Sequence, residues 1–356
     1  MKIKRLLITA LGCLLMAPMM QAQTAVTAGM MYGKKYGVTY MLPKSQLEVQ
    51  VFATKHTFQP GEFCKYADLY LHLGDTQTQA QEYWTLDEAV VRSVGVADKE
   101  KIYFVELKDK TAAPLMELTE EGTIYSINLP ISGRKAESAP QTATSQKAKP
   151  DPRSFFTEEI LSASSTAKMA ELVAQEIYNI RDSKNALVRG EAENTPKDGA
   201  QLQIMLDQLN LQEEVLTELF TGVTTTESQT YTFRLAPEMA ANVVAFRFSQ
   251  KAGVLESDDL TGEPAYLTVA NQGLITPQPA EEAAKNKKGL EGVAYNVPGK
   301  ALVTLTFKQQ QLFREELPIT QLGSVEYLAA NLFNKNYTIT VQFDAETGAL
   351  VKVNRE

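Results

Sequence analysis

Two cysteines, two histidines and one tryptophan are spread over 356 residues, and each scarcity closes off a class of chemistry. Cys13 lies in an apolar leader, so Cys64 alone is left for the rest of the chain. It can form no intrachain disulfide and no multi-cysteine zinc site. Set within FCKYADLYLHL, Cys64 is expected as a small buried hydrophobe rather than a reactive thiol. A Ser-His-acid triad has only His56 and His72 to draw on, and no G-x-S-x-G elbow is present. Both histidines are expected as surface or packed structural groups, and His56, Cys64 and His72 show no diagnostic metal-ligand spacing. Positive charge is short too. With 35 Lys and Arg against 43 Asp and Glu, the formal charge is −8, which argues against nucleic acid or an anionic membrane surface as main partner.

What the chain does have begins with MKIKRLLITALGCLLMAPMMQAQ. Lys2, Lys4 and Arg5 precede an almost unbroken apolar run over residues 6–20, shorter than the ~20 residues of a spanning helix. This pattern predicts a cleavable signal peptide, residues 1–22, cut near Ala22. Met20 is larger than the ideal residue two positions before a cut. Lipidation at Cys13 is disfavoured because the apolar run continues beyond it. Loss of residues 1–22 removes those three cations and no acid, taking the charge to −11. The mature chain is expected in the periplasm or at the cell surface, with no integral membrane span.

Residues 23–131 read as an N-terminal β domain. LEVQVFA (47–53) sets Leu47, Val49 and Val51 on one face, Glu48 and Gln50 on the other, and KIYFVEL (101–107) and GTIYSINL (122–129) alternate similarly. Inside this run, residues 62–73 show helical spacing, with Gly74 placed to end the helix. Residues 132–153 hold hardly an apolar side chain larger than Ala and read as a flexible linker. Residues 154–222 predict a helical hairpin. Met169, Leu172, Val173, Ile177 and Ile180 form the first stripe, capped by Ser164 or Ser165. Leu202 to Phe220 carry the second, ended by Gly222. Residues 223–356 return to period two and read as a C-terminal β domain, with strands at 227–235, 242–249, 265–270 and 301–307 and a hairpin over 338–353. The polar stretch 277–289 reads as a loop. The expected fold is therefore mainly β: two antiparallel, sandwich-like domains bridged by two long helices.

One short pattern occurs twice: GVTYMLP at 37–43 and GVAYNVP at 292–298. It predicts one device used twice, a strand stopped by Pro with another strand starting within about five residues.

The motifs that resemble chemistry are weak. Ser165-Thr166-Ala167-Lys168 has the S-x-x-K form of penicillin-binding proteins, with Ser183-Lys184-Asn185 and Lys197-Asp198-Gly199 as loose second and third motifs. All three fall within one helical hairpin, leaving no room for the intervening sheet, so a cap, a solvated face and a turn are expected. Acidic pairs (Asp87-Glu88, Glu120-Glu121, Glu158-Glu159, Glu213-Glu214, Asp258-Asp259, Glu315-Glu316) do not by themselves supply two carboxylates facing across a cleft. Glu256, Asp258 and Asp259 form the densest cluster but lack the ligand spacing of a calcium loop. In Tyr83-Trp84 a core Trp and a half-exposed Tyr are expected, an exposed ring there being suited to stack on a sugar or dock a protein partner.

YMLPKSQLEVQV with PGEFCKYADLYL, EIYNIRDSKNALVRGEAENTPKDGAQLQIMLDQLNLQEEVLTELFTG, and FRFSQKAGVLESDDLTGEPAYL resemble a family of exported Bacteroidota proteins, catalogued as domain of unknown function 4831. The resemblance implies an envelope or secreted protein and brings no catalytic residues. No catalytic, cofactor-binding or metal-binding residue is assigned. The expected function is an exported envelope protein acting as a structural or partner-binding module, its partner an envelope protein or glycan. The alternatives are a glycan or peptidoglycan hydrolase using acidic residues, and a carbohydrate-binding module.

Overall fold

The computed structural model describes residues 29–32, 35–106, 116–129, 149–193, 198–237, 242–272, 292–329 and 339–355. The expected signal peptide, residues 132–148 of the expected linker and the loop 277–289 lie outside these residues.

The alternation of LEVQVFA extends in both directions into one long strand, β2 (Lys35–Gln59). It pairs with β1 (Gly29–Tyr32), β3 (Gln81–Glu106) and β6 (Val223–Leu235) to form a first sheet. The second sheet takes β7 (Val243–Ser249), β8 (Gly253–Leu255), β9 (Glu263–Asn271), β10 (Gly292–Phe307) and β11 (Gln310–Ala329) in the order β11-β10-β9-β7-β8. The third joins β4 (Met116–Leu118), β5 (Ile124–Ile127), β12 (Ile339–Phe343) and β13 (Leu350–Arg355) in the order β13-β12-β5-β4. Mainly antiparallel β is thus the architecture, but the strands do not sort at the boundaries expected from sequence. β6 pairs with β2 across the helical segment, and β12 pairs with β5. A long central strand needs a ladder on both edges, and the partner that supplies one need not be near in sequence.

Two cores follow. Leu47, Val49 and Val51 of β2 meet Phe246, Leu267, Val303 and Leu305 from the second sheet. The start of β2 (Val38, Tyr40, Leu42) and the start of β10 (Val293, Ala294) instead pack on Ile124, Ile127, Val341 and Phe343 of the third sheet.

Both strands change core at the proline of the repeated heptapeptide, and neither stops there, contrary to the sequence expectation. Each runs through a bulge: the register steps from Met41↔Ile102 to Pro43↔Ala97, and from Val297↔Ser324 to Gly299↔Ile319. The partner strand makes a four-residue excursion in both cases, residues 98–101 and 320–323. A bulge is a place where a strand tolerates a residue without an N–H, and it bends the strand toward a new neighbour. One backbone amide beside each bulge bonds outside the ladder, and both are satisfied in the same way. Met41 N–H donates to the Gly122 carbonyl (2.9 Å) and Asn296 N–H to the Gly348 carbonyl (3.1 Å). Both glycines are left-handed turn residues, φ 81° and 67°, in the hairpins β4–β5 and β12–β13. The arrangement β2-β3-β4-β5 is therefore built a second time as β10-β11-β12-β13. The two copies touch, with Tyr40 Oη donating to the Ala294 carbonyl at 3.0 Å and Asn296 Nδ2 to the Pro43 carbonyl at 2.8 Å.

The helices pack on neither core. A 3₁₀ turn (Cys64–Tyr66) leads into α1 (Ala67–Leu71), ended by left-handed His72 (φ 56°) rather than by Gly74. The end of the expected linker is ordered: a 3₁₀ turn, Pro152–Phe155, capped by Asp151, precedes α2 (Glu158–Leu161). α3 (Thr166–Arg189) is capped by Ser165 and ended by Gly190 at φ 72°; α4 (Gly199–Thr221) is capped by Asp198. Leu172, Val173 and Ile177 of α3 with Leu216 and Phe220 of α4 close over Phe63, Ala67 and Leu71. The far halves of the two helices leave Val188, Ile204 and Met205 exposed.

Candidate functional site

The penicillin-binding-like residues resolve into structural duties. Ser165 Oγ accepts from Lys168 N–H at 3.2 Å, Lys168 Nζ pairs with Glu171 at 3.0 Å, and Ser183 Oγ donates to the Asn179 carbonyl at 2.9 Å. Lys184 and Arg181 both engage Glu213. Burial tends to raise the Glu213 carboxyl, but hydrogen bonds from Lys184 and then Arg181 outweigh it and hold it below the usual carboxylate range. Asp198 is a cap, and Lys197 lies outside the described residues.

Of the histidines, His56 stacks on Tyr83 (centroids 4.7 Å, planes 7° apart) and its Nε2 bonds Thr85 Oγ1 at 3.0 Å; His72 caps α1. Cys64 is half-buried, less covered than its sequence setting suggests. Trp84 packs against the first core, as expected of it, and its ring lies over Gly253, where a Cβ would stand 2.9 Å away. Tyr83 is exposed, but His56 lies flat against it. Among the acidic pairs, Asp87 accepts from the Thr54 and Thr85 hydroxyls at 2.5 and 2.9 Å, and Glu214 pairs with Lys149 at 2.7 Å.

Glu48, on the polar face of its strand, has the local pattern of an exposed acid but is buried, only 3% exposed. The register sets it opposite Arg92 on β3 and Arg234 on β6. Arg92 Nε donates to Oε1 at 2.9 Å and Arg234 Nε to Oε2 at 3.1 Å. The two guanidiniums cover the carboxylate, tying all three strands on the outer face of the sheet.

The cluster Glu256, Asp258 and Asp259 lines a groove of about 590 Å³. The groove exists because both sheets end there. Gly222 turns the chain out of α4 into β6, which pairs along β2 from Val223 to Leu235 and has no second strand partner among the described residues. Opposite it, β8 is only three residues long and is the last strand of the second sheet. Beyond β8 the loop is held by Arg247, whose Nε donates to the Ser257 carbonyl (2.8 Å) and Nη1 to the Gly262 carbonyl (3.0 Å). Asp259 accepts from the Thr261 hydroxyl (2.6 Å) and amide (3.0 Å), which hold its carboxyl below the usual range. Among the described residues, Glu256 and Asp258 have no cation within ion-pair distance. Tyr231 and Phe233 form the facing wall. All the carboxylates that line the groove come from one loop, so none faces another across the opening, as acid–base glycoside hydrolysis requires. The local signal for the groove was the acidic cluster; the strand edge that faces it is set by long-range pairing and was not visible.

These features define a class: a β-rich protein of three antiparallel sheets with a helical arm and a shallow groove between two strand edges that are unpaired among the described residues. The chain belongs to the family described as domain of unknown function 4831, which it matches over residues 36–351. No curated protein and no solved structure matches it. No helix among the described residues is long and apolar enough to cross a membrane, and no group of three or more His, Cys, Asp or Glu there is placed to hold a metal ion.

Proposed function

We propose that the protein is a non-catalytic partner-binding module of the cell envelope, exported by residues 1–22 and working in the periplasm or at the cell surface. The first and second sheets form a sandwich-like body, and the helical hairpin stands beside it as an accessory arm. The observation that carries the binding role is the open edge of β6 over the groove. A strand with unpaired backbone groups is a ready template for another chain. The hydrolase alternative finds no facing carboxylates in the groove. The carbohydrate-binding alternative depends on an aromatic platform, and here Trp84 is packed against Gly253 and Tyr83 against His56.

The test is a photo-crosslinking amino acid placed at Thr232 on the open edge, with Gln208 on α4 as control, in cells that make the protein. A discrete adduct at Thr232 and none at Gln208 is expected; equal labelling, or none at either position, refutes the reading. Export is checked separately: the mature N-terminus should begin close after Ala22, and a chain retaining Met1 in the cytoplasm refutes it.

A further inference from the structure

We propose that the groove takes an extended peptide with Lys or Arg at alternate positions, bound as an added strand on β6. The proposal rests on the partner-binding reading above and names the partner's chemistry.

The backbone comes first. β6 spans 13 residues, Val223–Leu235, and its ladder to β2 uses one edge only. In an antiparallel pair, alternate residues turn their N–H and C=O away from the partner, so roughly half of β6 faces the open side. The other sheet edges carry the devices that discourage strand addition. β1 is four residues, β4 and β8 are three residues each, β13 carries Lys352 and Arg355, and β11 carries Pro318 with Arg314, Glu315 and Glu316. The edge of β3 is broken by the excursion at residues 98–101. β6, VTTTESQTYTFRL, has no proline and no lysine. Its one cation, Arg234, is turned to Glu48.

Side chains then select the occupant. A strand laid beside β6 runs between Tyr231 and Phe233 on one side and the rim acids Glu256 and Asp258 on the other. Its side chains alternate between the two faces of the sheet: one set turns inward, on the side of Tyr231 and Phe233 and within reach of the carboxylates, and the other turns to the outer face. Those carboxylates lack an ion-pair partner within the described chain, so cations of the ligand are their natural complement. A second copy of this chain is the poorer occupant. Its β6 would bring Glu227, and the mature chain a net charge of −11, against an acidic rim.

The experiment uses the mature protein and three labelled octapeptides in fluorescence anisotropy: alternating Val and Lys, alternating Val and Glu, and the Lys peptide N-methylated at alternate residues. Binding of the Lys peptide is expected at least about tenfold tighter than of the Glu peptide, weakening with salt. Glu256→Lys with Asp258→Lys should reduce it by about tenfold or more. These positions are exposed, and an unchanged thermal melt will show that the fold is kept. N-methylation, which removes strand hydrogen bonds, should abolish binding, and hydrogen exchange should slow along residues 229–235. Equal affinity for the Lys and Glu peptides overturns the charge argument, and equal affinity for the N-methylated peptide overturns strand addition. Protection of β6 on self-association without peptide assigns the edge to a second copy and overturns the proposal. If the Lys peptide fails while the Thr232 crosslink persists, only the peptide chemistry falls; if both fail, the partner-binding reading falls with it.

Discussion

Replacing Glu48 by Gln should be among the more damaging single substitutions on the polar face of the sandwich. The carboxylate side chain is 4% exposed, while Arg92 and Arg234 are 58% and 60% exposed. Gln keeps the shape and removes the charge. It also turns one acceptor oxygen into an amide donor pointing at a guanidinium. A hydrogen bond to a charged group contributes about 1.5–3 kcal/mol, and solvent screening of the two half-exposed guanidiniums reduces that toward surface-pair values. Two such contacts, so discounted, come to about 2 kcal/mol. The pH dependence follows from the same geometry. Burial tends to raise the Glu48 carboxyl, but hydrogen bonds from Arg92 and then Arg234 outweigh it and hold it below its ordinary value. A carboxyl lowered in the folded state stabilises fully above its unfolded value, about 4.3. That contribution is lost as pH falls through the folded value.

Urea unfolding at pH 7 should therefore show a lowered midpoint for Glu48→Gln with unchanged slope, and the gap to the parent should shrink as pH drops below about 4. A cycle with Arg234→Gln isolates the pair, because the two side chains touch. A loss under about 0.5 kcal/mol at pH 7 would show that the carboxylate is covered but not used. A gap that stays constant into acid would assign the effect to packing rather than charge.

Gly348→Ala should cost about 2–4 kcal/mol, since φ is 67° and the new Cβ would stand 2.7 Å from Pro43 Cδ. Gly190→Ala, at φ 72° with nothing within 4 Å, should cost only about 1 kcal/mol; equal losses in the two melts would remove the role given to the hairpin-to-strand contact. Tyr40→Phe leaves the Ala294 carbonyl without its buried donor and should lower stability by about 1–2 kcal/mol, read from the denaturant midpoint. Ser165→Ala removes the α3 cap and should cost about 1 kcal/mol. Neither parent nor variant should take label from a fluorescent penicillin, and a covalent adduct on the parent would reverse the structural assignment of Ser165-x-x-Lys168.

Local periodicity carried much of the secondary structure. Leu47, Val49 and Val51 face the core as their alternation requires, and Ser165 and Gly222 bound the long helices as read. It failed where a strand's pattern is broken by design. β11 reads poorly because Glu315, Glu316 and Pro318 interrupt it, and it is held by pairing with β10 from residue 292 to residue 307. Glu48 looked like one more exposed acid because burial by two arginines from other strands leaves no mark in the adjacent sequence. The ladders β2–β6 and β5–β12, which cross between the two expected β segments, left no local mark for the same reason, since they join residues more than a hundred positions apart.

The repeated heptapeptide shows where such reasoning can recover. Matching the two copies at a constant offset forces the later strand faces out of phase, because a one-residue slip exchanges the faces of a strand. The bulge at each proline is where that phase is reset, so the correspondence lies in the pairings on either side of it. Met41 and Asn296 stand at the same place in their copies, and each gives its amide to a left-handed turn glycine. With both copies assigned, what lies between them stands out as a separate addition: the helical hairpin and strands β6 to β9. The groove is lined entirely from this insertion, residues 231–233, 254–256, 258 and 259. The two repeated units use one another's neighbourhood for their close contacts, at Tyr40 with Ala294 and Asn296 with Pro43. The insertion brings β6 to an edge of β2 and, among the described residues, leaves the far edge of β6 unpaired. The repeat therefore accounts for the scaffold, and the groove proposed to take a partner lies in the segment placed between its copies.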